Sequence, residues 1–182
     1  MARRHRRPLL SPRALLALAG TLVAASRPAP AGAPGPAPTG ASPPAPLELE
    51  TLDGEPVALA PSPGRALVVH FWATWCPSCV DELPALAAAR AACAGAVGIA
   101  VVDVDEDAEE IRRFLDERGI GLDSLRDPDG RAWRASVGAR GLPANLVWTA
   151  DGERRSEVGP RSRERWQALF AELGCGVKLP VP

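Results

Sequence analysis

Two cysteines separated by two residues are the most chemically distinctive feature of the sequence, in the order Cys76-Pro77-Ser78-Cys79. A separation of three residues places two side chains one helical turn apart, close enough to form a disulfide. Pro77 suits the first turn of a helix, where its missing N–H needs no acceptor. The free N–H groups and the dipole of such a turn lower the pKa of Cys76 by favouring its thiolate. The pattern therefore predicts an exposed, nucleophilic Cys76 and a deeper Cys79 that resolves a mixed disulfide.

Other uses of the same cysteine pair are a structural disulfide, half of a zinc site or a copper(I) site. A zinc site needs two more ligands. Residues 47–182 offer only His70, Cys93 and Cys175, and none of these lies at a spacing usual for zinc ligands. Soft thiolates suit Cu(I), so a copper carrier that uses Cys76 and Cys79, with or without His70, is an alternative. We expect redox chemistry, no metal and no cofactor beyond the redox-active disulfide itself.

The elements that must position this pair are a strand before it and a helix after it. Ala66–Trp72 is a continuous apolar run of strand length, and Cys79–Ala92 is rich in Ala and Leu without Gly. The other predicted elements are a hairpin (Leu47–Leu52 and Val57–Ala60), a strand (Val97–Val104), a helix (Asp107–Arg118), a short helix (Arg131–Val137), a second hairpin (Asn145–Thr149 and Arg154–Val158) and a last helix (Arg161–Leu173). This order predicts an α/β fold with a mixed sheet.

The N-terminal segment predicts an export signal followed by a tether. Residues 1–26 place five Arg before an apolar run of about a dozen residues and a small-residue end, which is typical of a signal peptide. The run is shorter than the ~20 residues of a membrane span, so we favour cleavage, with an uncleaved N-terminal membrane anchor as the alternative. Residues 27–46 contain eight Pro and predict a disordered, semi-extended tether. Residues 47–182 form the predicted folded domain.

Charge argues against one class of partner. Residues 47–182 carry 15 basic and 22 acidic residues, a net charge of −7. Nucleic-acid binding needs clustered positive charge, so no nucleic-acid partner is expected.

Several motifs together resemble a known family. They are Phe71-Trp-Ala-Thr-Trp-Cys-Pro-Ser-Cys79 with Glu82 and Pro84, Asp127-Pro-Asp-Gly130, Gly141-Leu-Pro143, and Asp151-Gly152 through Val158-Gly-Pro160. In this order they resemble the exported TlpA-like branch of the thioredoxin superfamily, which includes the cytochrome c maturation thiol reductases. The resemblance covers nearly all of residues 47–182. It implies a thioredoxin-like fold, with a mixed sheet flanked by helices, here extended by the N-terminal hairpin.

The resemblance implies roles for several residues around the cysteines. Pro143 would be the cis proline facing the disulfide, and Leu142 would offer backbone groups to an extended client segment. From spacing alone, Pro143 is equally well an ordinary turn proline. Trp75 and Pro77 would contact clients. Alternatively, Trp75 would shield the site.

Glu82 and His70 are candidates for adjusting the acidity of the cysteines. Glu82 matches an acidic residue that the family places one turn after the second cysteine, where it would accept the proton of Cys79; the alternative is a solvated helix-surface carboxylate. His70 matches a position that is usually Asp or Asn. It would tune Cys79 with pH, or it is a core histidine bonded to backbone.

Cys93 and Cys175 are expected at neighbouring helix ends, because the corresponding helices of a thioredoxin-like fold share one face and run in the same direction. An oxidising compartment favours a structural disulfide between them. Two separate thiols are the alternative.

The function predicted from these features is that of an exported thiol–disulfide oxidoreductase, periplasmic or in the cell envelope. It would reduce disulfides of specific client proteins, with cytochrome c maturation as one setting. A membrane electron donor or thiol reductase is the partner that a reductant there requires. A peroxidase is disfavoured, because Trp75-Cys76 does not reproduce the Thr–Cys arrangement of that branch.

Overall fold

The computed structural model describes residues 45–180, so the predicted export signal and all but the last two residues of the predicted tether lie outside the described residues. The strands are β1 (Leu47–Thr51), β2 (Pro56–Leu59), β3 (Ala66–Trp72), β4 (Val97–Val104), β5 (Ser124–Asp127), β6 (Ala144–Trp148) and β7 (Arg154–Val158). The helices are α1 (Pro77–Val80), α2 (Leu83–Cys93), α3 (Ala108–Glu117), α4 (Arg131–Val137) and α5 (Arg163–Glu172). None of the helices in residues 45–180 combines the length and the hydropathy that a membrane span requires.

The strands form one mixed sheet in the order β2-β1-β5-β4-β3-β6-β7. The central strands β3, β4 and β5 are parallel, and the two hairpins add antiparallel strands at both edges. β6 pairs antiparallel with β3, so β3 lies between β4 and β6. The predicted α/β fold with a mixed, helix-flanked sheet and an N-terminal hairpin is confirmed.

Strand β3 divides the core into two layers because its side chains alternate across the sheet. Val68 and Trp72 face a cluster built with α2, α3 and α5, whereas Val69 and Phe71 face a second cluster built with α4. All seven β3 residues are buried, as expected for a strand covered by helices on both faces. The packing of β3 therefore fixes the position of its carboxyl end and of the loop that leads to Cys76.

Strand β5 is absent from the predicted order of elements, which was wrong on this point. Its four residues, Ser-Leu-Arg-Asp, show no long apolar run, and the two middle residues are only half-buried. The strand forms because β4 offers it a parallel partner and β1 an antiparallel one. Tertiary pairing, and not local propensity, determines its conformation.

The predicted continuous helix Cys79–Ala92 is also wrong, because the chain forms two helices with a break at Asp81 and Glu82. Pro84 explains the break. It has no N–H to donate to Val80, and a proline ring crowds the carbonyl four residues before it. Pro84 is tolerated as the second residue of a new helix, where that N–H would be free in any case.

Candidate active site at the end of the central strand

Cys76 and Cys79 are joined by a disulfide that spans the first turn after β3. The sulfur–sulfur distance is 2.05 Å and the Cα–Cα distance is 5.3 Å. Cys76 is the residue before α1, and its carbonyl accepts hydrogen bonds from the N–H groups of Cys79 (3.0 Å) and Val80 (3.1 Å). Pro77 occupies the first helical position, as the sequence pattern predicts. The chain therefore holds its dithiol in the oxidised form, at the carboxyl end of the central strand.

Cys76 is less exposed than the sequence analysis predicts, with 5% of its surface accessible. The sulfur to which it is bonded belongs to Cys79, which is fully buried. Cys76 is therefore still the more accessible of the two cysteines, as the sequence predicts.

The surroundings of Cys76 also differ from the expected long helix. Because α1 is only four residues long, the aligned peptide dipoles behind Cys76 are fewer than a continuous helix would supply. The Ser78 hydroxyl lies 3.7 Å from Cys76 Sγ and can donate a hydrogen bond to it. Stabilisation of a Cys76 thiolate therefore depends on local donors more than on a long helix.

Glu82 is buried and not the solvated carboxylate that was the alternative. The Arg161 backbone N–H donates to Glu82 Oε1 at 2.7 Å, and the Trp166 indole N–H donates to Oε2 at 2.9 Å. Burial raises the pKa of Glu82 to about 7, and these two hydrogen bonds oppose the rise. A carboxyl group with that pKa exchanges a proton near neutral pH.

His70 is fully buried, and Nδ1 lies 2.9 Å from Oδ1 of Asn145, its cross-strand partner on β6. An amide oxygen only accepts, so Nδ1 carries the proton and donates. Burial lowers the pKa of His70 to about 4, although the Asn145 hydrogen bond raises it. The 3.8 Å approach of Nδ1 to a Glu82 oxygen is therefore not an ion pair at neutral pH. At that pKa His70 is neutral near pH 7, and its hydrogen-bond partner is a side chain rather than backbone.

The Leu142–Pro143 peptide bond is cis. The Pro143 carbonyl accepts a hydrogen bond from Gly159 at 2.8 Å, which ties the segment before β6 to the end of β7. Leu142 is half-buried and packs against both core clusters.

A cavity of about 510 Å³ lies along α1, the start of α2 and the start of α5. Its apolar walls come from Pro84, Ala85, Pro160, Trp166 and Pro180, and its polar lining includes Ser78, Asp81, Glu82 and Arg161. Within residues 45–180, no cluster of three or more His, Cys, Asp and Glu has the arrangement of a metal site.

Trp75, the residue before the first cysteine, is 67% exposed and is the one exposed large apolar side chain among the described residues. Trp72, three residues earlier, is fully buried and donates from its indole N–H to the Ser124 hydroxyl at 3.1 Å. The two tryptophans of the motif therefore have opposite surroundings.

Cys93 and Cys175 are bonded to each other in the structure. The sulfur–sulfur distance is 2.02 Å and the Cα–Cα distance is 5.7 Å. Cys93 is the last residue of α2, and Cys175 follows the end of α5. Beyond Cys175 the chain continues to Leu179, which is buried in the core, and to Pro180 at the cavity.

Three residues that contact this site were not identified from the sequence: Asn145, Arg161 and Trp166. Asn145 pairs with His70 through strand register, and the other two lie 79 and 84 positions after Glu82, which they bind. A buried histidine and a buried carboxylate both need partners, but nothing in the local pattern says where those partners are.

Comparison with known proteins agrees with the geometry. Residues 41–152 match the model of the AhpC/TSA family. The soluble secreted antigen MPT53 of Mycobacterium tuberculosis is 32% identical over 102 residues, which cover 56% of this chain and 58% of MPT53. The thiol-disulfide oxidoreductase ResA of Halalkalibacterium halodurans is 29% identical over 106 residues, which cover 58% of this chain and 60% of ResA. The chain thus spans less than two thirds of the length of these relatives.

One solved structure extends the match to most of the fold. It is a secreted Mycobacterium tuberculosis disulfide oxidoreductase homologous to E. coli DsbE, 27% identical, with a TM-score of 0.58 over 70% of this chain and 93% of that one. The family match, the relatives and the thioredoxin-like fold agree. The chain belongs to the AhpC/TSA family and is a TlpA-like member of the thioredoxin superfamily.

Proposed function

We propose that the protein is an extracytoplasmic thiol–disulfide oxidoreductase that reduces disulfides of specific exported clients through Cys76 and Cys79. The observation that carries this proposal is the Cys76–Cys79 disulfide at the carboxyl end of the central strand. The names of the relatives ResA and MPT53, an oxidoreductase and a secreted protein, support the activity and the compartment respectively.

The reaction begins with the reduced dithiol. The Cys76 thiolate attacks one sulfur of a client disulfide, a Cys76–client bond forms, and the client sulfur–sulfur bond breaks. The departing client thiolate takes a proton from water. Cys79 then loses its proton and attacks the Cys76 sulfur, which forms the disulfide seen here and releases the second client thiolate. The client gains two electrons and the protein loses two, so a separate donor must reduce the protein again.

Glu82 is suited to the second step as the base for Cys79. Its pKa of about 7 lies near neutral pH, so the carboxyl group can accept a proton and release it again. Its carboxylate is held by Arg161 and Trp166, and its own N–H donates to the Cys79 carbonyl at 3.1 Å. These contacts tie Glu82 to the backbone of the resolving cysteine.

Client binding would use two surfaces beside the cysteines. Leu142, before the cis proline, would offer backbone groups to an extended client segment, in the manner of strand addition. Trp75, Pro77 and the apolar cavity would contact client side chains, because an exposed tryptophan and an apolar hollow both favour contact with apolar groups.

The N-terminal sequence supports an exported location. A signal in residues 1–26 and a Pro-rich tether in residues 27–46 would hold the domain in the periplasm or cell envelope, anchored if the signal is not cleaved. In that oxidising setting, the electrons come from a membrane donor or thiol reductase. Cytochrome c maturation is the client pathway that the TlpA-like resemblance suggests.

The proposal is tested by trapping clients. A Cys79→Ser variant stops after the first step, so clients stay linked to Cys76 and can be identified after purification. The matched Cys76→Ser variant should capture none of them. Apocytochrome c among the captives would support haem-attachment work.

Insulin reduction provides a direct activity measurement on the wild-type protein with a thiol donor. A protein that leaves insulin intact but binds Cu(I) one-to-one when reduced would contradict the proposal. So would a reduction potential near that of the strong oxidant DsbA, at about −120 mV.

A further inference from the structure

Glu106, just beyond β4, contacts the loop that carries Cys76. The Thr74 backbone N–H donates to Glu106 Oε2 at 2.6 Å, and the Thr74 hydroxyl donates to Oε1 at 2.5 Å. This meeting follows from topology. β3 and β4 are parallel neighbours with Trp72 opposite Asp103, so the segments after both strands leave the sheet at the same edge.

Thr74 is in the turn that ends at the nucleophilic cysteine. The Cys76 N–H donates to the Ala73 carbonyl at 3.1 Å, which makes Thr74 and Trp75 the central residues of that turn. Ala73 and Cys76 are buried at its two ends, whereas Trp75 faces solvent and packs little. The two hydrogen bonds to Glu106 therefore hold the middle of the turn from its inner side.

A second carboxyl group lies behind Glu106. Asp103 on β4 is fully buried beside Glu106. Burial and the neighbouring Glu106 raise the pKa of Asp103 to about 9, against the opposing effect of Arg126 on β5. Arg126 also contacts Glu50 on β1 at 3.5 Å. Asp103 is thus neutral at pH 7, and both Thr74 hydrogen bonds end on the Glu106 carboxyl oxygens.

We propose that Glu106 is a positioning residue for thiol–disulfide exchange, which fixes the turn at residues 73–76 through Thr74 so that Cys76 is presented for attack. The inference rests on the proposed function and adds to it a residue outside the Cys-x-x-Cys motif and the cis proline. Positioning affects how fast a formed thiolate reacts, because a small misplacement of a reacting atom reduces the rate steeply. A purely electrostatic role would instead change how easily the thiolate forms.

Three variants separate these roles. Thr74→Val removes one hydrogen bond and leaves the Glu106 charge in place. Thr74→Ser keeps the hydroxyl and serves as the rescue. Glu106→Gln removes the charge and leaves one oxygen to accept. Each reduced protein is mixed with oxidised glutathione from pH 5 to 10, and the second-order rate constant is followed to its plateau, where Cys76 is fully ionised.

We expect the plateau rate constant of Thr74→Val and of Glu106→Gln to fall about tenfold, since each loses a hydrogen bond to a charged or strongly polar acceptor. Thr74→Ser should return it to within about twofold of wild type, a difference of less than 0.5 kcal/mol in activation free energy. Circular dichroism and the thermal midpoint check that each variant is folded. If Glu106→Gln does not fold, the two Thr74 variants still decide the question.

Three outcomes would overturn the inference: a wild-type plateau in Thr74→Val, equal losses in Thr74→Val and Thr74→Ser, or a Glu106→Gln effect confined to the midpoint of the pH curve. Failure of the proposed function gives a different result. In that case the wild-type protein itself does not reduce insulin, whereas the glutathione plateaus still report whether Thr74 and Glu106 position Cys76.

Discussion

The disulfide between Cys93 and Cys175 closes a chain segment with a sequence separation of 82, so its removal should destabilise the protein strongly. The perturbation is the double variant Cys93→Ala/Cys175→Ala. A cross-link stabilises mainly by restricting the unfolded chain, and the loop-entropy relation for this separation gives about 4.5 kcal/mol at 25 °C. That is a large share of the 5–15 kcal/mol that is typical of the free energy of unfolding of a domain.

The matched control is Cys76→Ala/Cys79→Ala, which also removes one disulfide and one fully buried sulfur. Its bond closes a separation of only 3, for which the same relation gives roughly 1.6 kcal/mol. Cys76 and Cys79 are both buried, whereas Cys175 is only half-buried, so the control loses at least as much packing and a larger loss in the first variant reports loop length.

The assay is equilibrium unfolding in guanidinium chloride, with every protein oxidised and followed by tryptophan fluorescence. With a slope of about 3 kcal/mol per molar, the midpoint should fall by about 1.5 M for the Cys93 and Cys175 variant and by roughly 0.5 M for the control. Equal shifts in the two variants would refute the loop-entropy reasoning. A shift below about 0.5 M in the first would refute it as well.

The remaining predictions concern three polar groups near the site. Glu82→Gln should slow release of the mixed disulfide about 100-fold and abolish the increase of the release rate with pH near 7. The reason is that wild-type Glu82 can accept a proton only above its pKa. Rapid-quench measurement of the mixed disulfide tests this. As pH rises from 5 to 9, the free energy of unfolding of Asp103→Asn in urea should increase relative to that of wild type. The raised pKa of Asp103 means that the folded wild-type protein binds more protons than its unfolded chain in this range, so the stability of wild type falls as pH rises. A constant difference would contradict that assignment. Ser78→Ala should raise the pKa of the Cys76 thiol by up to about one unit, read from thiolate absorbance, since a hydroxyl donor is lost; an unchanged pKa would exclude this role of Ser78.

The elements best predicted from sequence are those that local pattern and burial specify together. Ala66–Trp72 is an unbroken apolar run, and the strand has the same bounds in the structure. Arg131–Val137 likewise agrees to the residue, with Gly at each end. Pro84 is visible in the sequence, yet the helix break at Asp81 and Glu82 was missed, because Ala and Leu on its C-terminal side dominate the local propensity.

The pairing of Cys76 with Cys79 could be predicted from the sequence, but the contacts that support the pair could not. The spacing of Cys76 and Cys79 is local and shows directly in the sequence. The burial of Glu82 depends on Trp166, 84 residues later, and the side-chain partner of His70 depends on strand register with Asn145. Such contacts are determined by how the elements pack, and no periodicity within one segment encodes them.

The two disulfides follow one another along the chain without overlapping, which has a consequence for biosynthesis. A chain that enters an oxidising compartment with its N-terminus first presents Cys76, Cys79 and Cys93 before Cys175, which comes 82 positions after its partner. During that interval the only other cysteines of the chain are Cys76 and Cys79. Correct pairing therefore waits for the segment that follows helix α5, and until it arrives Cys93 can form a wrong bond with Cys76 or Cys79.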